Sequence, residues 1–412
     1  MGLLILISLL IEVGVLFYLE VKVWDTIYTP LNLLMLPYTV VVLVSACISG
    51  HFGFVEMYYP SILIWSIALL VFAIPSQCLG YFLHRNGKPY YSSMEFNEIP
   101  VFLVWISVFV CLALLYRLRQ AVAISPYSIG TDDFGDYFDN NGLWAHVSRL
   151  NSILLIITVF FVDRKHKYLW FIIIVQLALL FIHNVKGWIF VPVVAGMLMR
   201  LCFGRSQFSF KFIFYVVLGT ISVFFIIYIL SVVVGQNLDF DGKFIAFIFR
   251  HVVHYLTSGV WGLSVDMVYG FPDKGPFELN IAQFVNMARA ITGNTEYVST
   301  INTYYYHTGF NYTNVRTLFG TIYINSNQLT YILTVLVLSS IIYLIKIFTI
   351  RFDGLYSNMV LYYFCSLLFM GWFDTFFSQL VVIEVPLWIM ILCIIDKILQ
   401  KNDSKQKVYI RE

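Results

Sequence analysis

Arg250 and His254 stand four residues apart in FRHVVHYLTSGVWG, residues 249–262, a run that is otherwise mostly apolar and aromatic. On a helix, steps of four, four and three put Arg250, His254, Ser258 and Trp261 on one face, with Val253, Leu256 and Val260 on the other. A guanidinium presents a fixed fork of donors that suits phosphate oxygens. An imidazole one turn away can take up a proton near neutral pH. Such a helix is expected to rest on a membrane interface, apolar side down, showing a cation, an imidazole and a hydroxyl to a cavity. The competing reading is plainer: an arginine beside histidine and tyrosine can simply anchor a helix at the interface.

Other cations have similar company. Arg149 follows His146 in NGLWAHVSRLNS, and Lys186 follows His183 and Asn184 in FIHNVKGWIF. Charges at membrane depth are costly, so they tend to face a wet cavity or a partner. With Arg250, these residues would bring bases from three helices to one level, a pattern suited to an anionic headgroup or a pyrophosphate. For Lys186 the alternative is a helix-end anchor. The segment SIGTDDFGDYFDNNG crowds Asp132, Asp133, Asp136 and Asp139. Six cysteines, Cys47, Cys78, Cys111, Cys202, Cys365 and Cys393, fall inside apolar runs without CxxC or metal-ligand spacing, so they read as core thiols. No metal site is expected.

The elements that must hold these residues are membrane helices. Of 412 residues 60% are hydrophobic, 18% aromatic and only 12% charged, with a mean hydropathy of +0.82. That balance is far from a soluble domain's. Apolar runs long enough for a bilayer crossing, roughly 20 residues of helix, start near residues 2, 31, 61, 99, 143, 168, 186, 211, 327, 357 and 380. The fold class expected is therefore an all-α polytopic membrane protein of about eleven spans. The first run lacks a basic n-region and a small-residue cleavage site, and reads as a retained helix.

Basic residues set the orientation. Lys22, Arg85, Lys88, Arg164, Lys165, Lys167, Arg200, Arg205, Lys211, Lys346, Arg351 and the tail cations Lys397, Lys401, Lys405, Lys407 and Arg411 fall on one side, which is therefore expected to be cytoplasmic. The other side keeps Arg117, Arg119, Arg149, Lys186, Lys243, Arg250, Lys274, Arg289 and Arg316. Two long outer segments follow, 119–142 and 235–326, with a cytoplasmic basic tail at 398–412. The longer is too aromatic to be disordered. Without an internal repeat or linker, residues 1–412 read as one membrane domain with an ordered outer cap.

Three stretches resemble a known family. NYTNVRTLFGTIYINSNQLTYILTVLVLSSIIYL, residues 311–344, looks like the region with which Wzy-type O-antigen and capsular repeat-unit polymerases end their large periplasmic loop. RHVVHYLTSGVWGLSVDM, residues 250–267, resembles the Arg-, Tyr- and Gly-bearing segment that opens that loop, and HNVKGWIFVPVVAGM is similar to the basic helix start before it. The resemblance covers most of residues 140–350. It departs at Tyr323–Ser326, where the family commonly has an acidic turn and this chain has no carboxylate. Arg316 stands where an aromatic is frequent, which makes it a private substrate contact or a surface residue.

The resemblance implies a GT-C-like, metal- and cofactor-independent glycosyltransferase in the bacterial cytoplasmic membrane, with its active site facing the periplasm. It would pass a growing glycan from undecaprenyl pyrophosphate to the hydroxyl of a new lipid-linked unit. The implied partners are undecaprenyl-pyrophosphate-linked glycans, membrane lipids, a chain-length regulator and a flippase; nucleic acid is not among them. On this reading Arg250, with Arg149 and Lys186, holds pyrophosphate, and preset cations facing a departing anion lower the barrier. His254, or His307 in YYYHTGF, takes or orients the acceptor proton. Arg289, Arg316 and Tyr255 add substrate contacts, and Trp261, Tyr304, Tyr305 and Tyr306 offer flat faces for sugar rings.

Rival classes stay open. An O-antigen ligase would share architecture and mechanism. A polyprenyl-phosphate-dependent glycosyltransferase would want paired acids early in an outer loop, where Asp132 and Asp133 are the candidates. A flippase would show paired halves and broken helices. Mid-helix Glu12, Ser45 and Gln77 read as helix contacts, whereas Glu384 could pair with an outer cation.

Overall fold

The computed structural model describes residues 1–85, 96, 98–124, 132–138, 142–182, 186–207, 242–270, 275–300 and 302–409. The apolar run near 211, His183, Asn184, Asp139 and Lys274 lie outside the described residues, as do the side chains of Lys186, Lys243, Asp132, Asp133 and Asp136. The described chain is helical apart from one two-residue strand pair. Among the described residues six helices are long and apolar enough to cross a membrane, so the protein is a multi-pass, largely α-helical membrane protein. They are α1 (Gly2–Trp24), α2 (Pro30–Ile48), α3 (Ser61–Arg85, apolar through Leu83), α4 (Val101–Ile124), α6 (Leu143–Phe161) and α12 (Gln328–Phe352). Two of the other expected crossings are shorter apolar helices, α7 (Tyr168–Ile182) and α8 (Lys186–Cys202). A third, α13 (Leu355–Phe369), has 15 residues, and α14 (Val381–Tyr409) continues into the basic tail.

Two compact units are distinguished. The first takes in Met1–Tyr90, Gln207–Leu344 and Leu367–Leu380. Its helix α1 buries Leu9, Val13, Leu16, Glu20 and Trp24, a stripe with steps of four, three, four and four. Leu3, Leu4, Ile7, Ile11, Val15 and Tyr18 point outward, which makes the helix apolar all round, as lipid contact requires. Helix α2 starts at a Thr29 cap whose hydroxyl accepts from the Asn32 N–H at 3.3 Å, with Pro30 in the first turn where no N–H is needed. The core stacks Tyr38 on Trp65, centroids 3.6 Å apart, with the edge of Phe319 against Trp65.

One carboxylate lies inside this core. Glu20 is fully buried and accepts from Ser76 Oγ at 2.6 Å, Gln77 Nε2 at 3.1 Å and the Tyr343 hydroxyl, tying α1 to α3 and α12. Trp24 Nε1 donates to the same Ser76 oxygen at 2.8 Å. A buried charge persists when its lone pairs are met by donors.

The remaining first-unit elements surround the long helix α9 (Gly242–Tyr269), which is not among the membrane-length apolar helices. A 3-10 turn (Phe277–Ile281), α10 (Ala282–Thr292), the strands β1 (Tyr306–His307) and β2 (Tyr312–Thr313), and α11 (Leu318–Ile324) follow it. The strands pair antiparallel, Tyr306 with Thr313 and His307 with Tyr312.

The second unit holds Tyr91–Ser206, Ile345–Ser366 and Val381–Glu412. Its centre is α6, which packs against α4, α7, α8 and α14. Gln176 of α7 serves α6 twice: its side chain accepts from Thr158 Oγ1 at 2.8 Å, and its carbonyl accepts from Asn151 Nδ2 at 3.2 Å. Arg200 of α8 donates to the Val159, Phe160 and Val162 carbonyls, the orphan acceptors at the end of α6. The short helix α5 (Asp132–Phe138) buries Phe134 and Phe138, and Arg117 Nε donates to the Phe138 carbonyl at 3.0 Å. All six cysteines are free thiols, but Cys47 and Cys78 are exposed on their helices and are not core residues. A thiol in a lipid-facing stripe satisfies the same hydropathy pattern as one in the core.

Candidate functional site

Helix α9 carries the sequence-marked face, and two distant segments of the first unit cover it. One is the connection between α2 and α3, residues 49–60; the other is the β1–β2 hairpin. They are joined to each other where the Val55 N–H donates to the Thr308 carbonyl at 2.9 Å. The connection is also fixed to α9 by the Tyr58 N–H, which donates to Ser264 Oγ at 2.6 Å.

Phe54 and Phe310 are the inward residues of these segments. The Arg250 guanidinium lies over the Phe310 ring, 4.2 Å from its centroid. Gly53, with φ +84°, makes room for the cation: a Cβ there would be 2.4 Å from an Arg250 terminal nitrogen. His254 is 7% exposed, with Phe54 stacked at 6.3 Å and Phe310 edge-on at 6.0 Å. Trp261 is fully buried and stacks on the other end of Phe54 at 5.9 Å. Next to them His251 Nε2 is 3.2 Å from Asn311 Nδ2, and its ring meets Phe310 at 5.0 Å.

Among the described residues, three buried polar atoms on this face, Arg250 Nε, His254 Nε2 and Trp261 Nε1, have no hydrogen-bond partner. Buried polar atoms are nearly always bonded, so each marks a place where a ligand or water would be held. Burial pulls the His254 imidazole down to about 4, helped by the neighbouring His251 and His307 and opposed by the backbone of Asn311. His254 is therefore neutral near pH 7, able to accept a proton or orient a hydroxyl. His307 is exposed on β1, accepts from the Gly309 N–H at 3.1 Å through Nδ1, and meets the Tyr312 ring at 4.9 Å.

A second cluster occupies the far end of α9. Asp266 and Arg316 are 1% and 2% exposed and form an ion pair. Arg316 also donates to the Asn314 carbonyl at 3.0 Å and covers the Tyr306 ring at 5.1 Å. Of the two readings of Arg316, a substrate contact or a surface residue, burial removes the second, because a carboxylate one turn below Gly262 claims the guanidinium before solvent can. Close approach makes the pairing possible. A Cβ on Gly262 would be 2.1 Å from the Val315 carbonyl, and one on Gly259 would be 2.3 Å from the Phe373 carbonyl.

Asp374 lies beside this pair. Its carboxylate accepts from Thr321 Oγ1 at 2.9 Å, and burial raises it to about 6 against the pull of the Thr375 and Arg316 backbone N–H groups, Thr321 and the Arg316 charge. No spacing signal connects Asp374 to Thr321 in the sequence.

A family model for a family of unknown function, DUF6337, matches residues 53–402. The chain belongs to DUF6337. No curated protein and no solved structure matches it. The DUF6337 match opens at Gly53, beneath Arg250, and takes in α9, the hairpin and Asp374.

The other sequence-marked residues of this DUF6337 chain are placed as follows. Tyr255 stacks on Phe373 at 4.6 Å, and Ser258 returns its hydroxyl to the Tyr255 carbonyl at 3.0 Å. Arg289 is spent within the loop on Glu278, 3.6 Å away, and on the Glu296 carbonyl. Tyr304 and Tyr305 are exposed. Arg149 belongs to the second unit, where its guanidinium lies 5.8 Å from the Trp188 ring in a small cavity lined by Ser152, Ile156, Val191, Tyr363 and Val385. In that unit Glu384 meets His146 Nδ1 at 2.6 Å and Trp388 Nε1 at 3.2 Å. Among the described residues no group of three or more His, Cys, Asp or Glu could hold a metal ion.

Proposed function

We propose that the protein polymerises undecaprenyl-pyrophosphate-linked oligosaccharide repeat units by glycosyl transfer at the outer face of the bacterial cytoplasmic membrane. The observation that carries this reading is the pairing on α9 of a cation and a neutral imidazole, one turn apart, each with a buried nitrogen lacking a partner. It is supported by the resemblance of residues 250–267 and 311–344 to Wzy-type polymerases, and by the basic-residue distribution, which puts this loop outside in an eleven-span arrangement with the C-terminus inside.

In this mechanism the bond between the anomeric carbon and the pyrophosphate oxygen breaks, and the electron pair leaves with the pyrophosphate. Arg250 faces that growing charge; losing such a group typically costs on the order of 10²-fold in rate. The acceptor hydroxyl oxygen forms the new bond, and its proton passes to His254 Nε2 and then to water. Phe54, Phe310 and Trp261 pack together and exclude water around the nitrogens.

The test uses a strain lacking the chromosomal copy, complemented with Arg250→Ala, Arg250→Lys, His254→Ala or His254→Gln, with membrane insertion checked by immunoblot. Loss of long polysaccharide and accumulation of single repeat units is the expected outcome. Normal polymer from both Arg250 variants would sink the pyrophosphate assignment. Accumulation of unligated polymer in the deletion strain would move the reaction to an O-antigen ligase.

A further inference from the structure

Helix α10 is amphipathic in the reverse sense of a soluble surface helix. In AQFVNMARAIT, residues 282–292, Phe284, Met287 and Ile291 fall along one face by steps of three and four. That face is open: Phe284 is 51%, Met287 39% and Ile291 79% exposed. The opposite side is polar and turned to the protein. Asn286 Nδ2 donates to the Val298 carbonyl at 2.9 Å, and its Oδ1 accepts from the Val298 N–H at 2.7 Å. Arg289 reaches Glu278 and the Glu296 carbonyl, and Gln283 is buried. A helix beside water buries its apolar stripe and exposes its polar one; this helix does the opposite, so an apolar medium must lie against it.

What that medium is follows from where the helix is fastened. Asn280, in the 3-10 turn that leads into α10, donates to Ser326 Oγ at 2.8 Å, to the Ile322 carbonyl at 3.3 Å and to the Asn325 carbonyl at 3.4 Å. Asn325 Nδ2 returns a bond to Asn280 Oδ1 at 3.4 Å. Gly275 is pressed onto the same asparagine, since a Cβ there would be 2.1 Å from Asn325 Oδ1. Two residues after Ser326, Gln328 begins α12, one of the six helices of membrane length. The turn preceding α10 is thus pinned to the mouth of a membrane span, at the level where headgroups give way to acyl chains. The face also carries no charge, because the one cation of the helix is on the other side, paired with Glu278.

We propose that α10 is an in-plane membrane anchor, with Phe284, Met287 and Ile291 seated in the headgroup–acyl boundary at the N-terminal end of α12. Its role is to hold the loop from Pro276 to the hairpin flat on the bilayer, which keeps any site built on α9 at lipid-headgroup height. The proposal does not depend on the reaction assigned to that site.

The experiment places a nitroxide at one position at a time through Phe284→Cys, Met287→Cys, Ile291→Cys and, as a water-facing reference, Glu296→Cys. The background is the full chain with its six native cysteines replaced, in nanodiscs of phosphatidylethanolamine and phosphatidylglycerol. Collision with dissolved oxygen should exceed collision with a nickel chelate at 284, 287 and 291, and the ratio should invert at 296. Nickel access at the three apolar positions overturns the anchor, as does exclusion of both quenchers, which would mean that protein covers the face. Should the cysteine-free chain fail to fold, benzoylphenylalanine at position 284 of the native chain decides: a lipid adduct after illumination supports the anchor, and an adduct to a second polypeptide overturns it.

Discussion

Asp266 and Arg316, fifty residues apart in the sequence, form an ion pair in which both side chains are almost wholly withdrawn from solvent. Two charges can stay buried together because each answers the other, but neither is tolerated alone. Arg316→Met and Asp266→Leu are each expected to cost about 3–5 kcal/mol, and the double substitution less than either alone. Thermal unfolding of the purified protein in detergent measures this. Equal loss in the double variant and the single ones would show that the pair is not the source of the effect.

Glu20 is a different case, since three neutral donors hold it. Glu20→Ala strands Ser76, Gln77 and Tyr343 in a dry core at about 1–3 kcal/mol for each unmet group. A lowered unfolding midpoint is the readout, with Glu20→Gln expected to fall between alanine and wild type.

Gly53 tests the cation seat without touching the cation. With φ +84° and an Arg250 nitrogen 2.4 Å from where a Cβ would stand, Gly53→Ala should push the guanidinium off Phe310. If the proposed reaction is right, polymer length falls while membrane insertion is unchanged. Unaltered polymer would mean that the Arg250 position is not demanding.

Acid stability follows from two opposed groups. His254 is pulled from 6.5 to about 4, so the unfolded chain binds its proton first and stability falls as pH drops through that window. Asp374 is raised from 3.8 to about 6, so the folded chain binds its proton first and stability rises as pH drops from about 6. The expected outcome is that His254→Gln flattens the acid-side loss, whereas Asp374→Asn steepens it. Unfolding midpoints between pH 7 and 4 provide the check.

The small residues of α9 permit no growth. Gly259→Ala and Gly262→Ala each force a methyl onto a backbone carbonyl, of Phe373 and Val315 respectively, and overpacking of this kind costs about 1–3 kcal/mol. Ser258→Ala, whose hydroxyl bonds only its own helix backbone, should be close to neutral in the same assay.

What the sequence made legible was local. Hydropathy marks the membrane helices because lipid-facing residues must be apolar all round, and the four-residue step marks Arg250 and His254 as neighbours because helix geometry permits nothing else. Trp261 shares that step, yet it is core, because periodicity names a face and not what covers it. Phe54 and Phe310 complete the cluster from about 200 residues upstream and 60 downstream, distances over which no spacing rule operates. Asp374 was invisible for the same reason, and the burial of Arg316 could not be read because its partner sits on α9, fifty residues away. Of the eleven expected crossings, six are membrane-length apolar helices among the described residues; α7, α8 and α13 are shorter than their apolar runs suggested, α14 is not among the six, and the run near 211 lies outside the described residues.

Arg250 and Asp266 are carried on one uninterrupted helix, sixteen residues or about 24 Å apart. The helix keeps its two polar clusters at a fixed separation without a residue common to both, so substitutions at one end and at the other are expected to add in free energy.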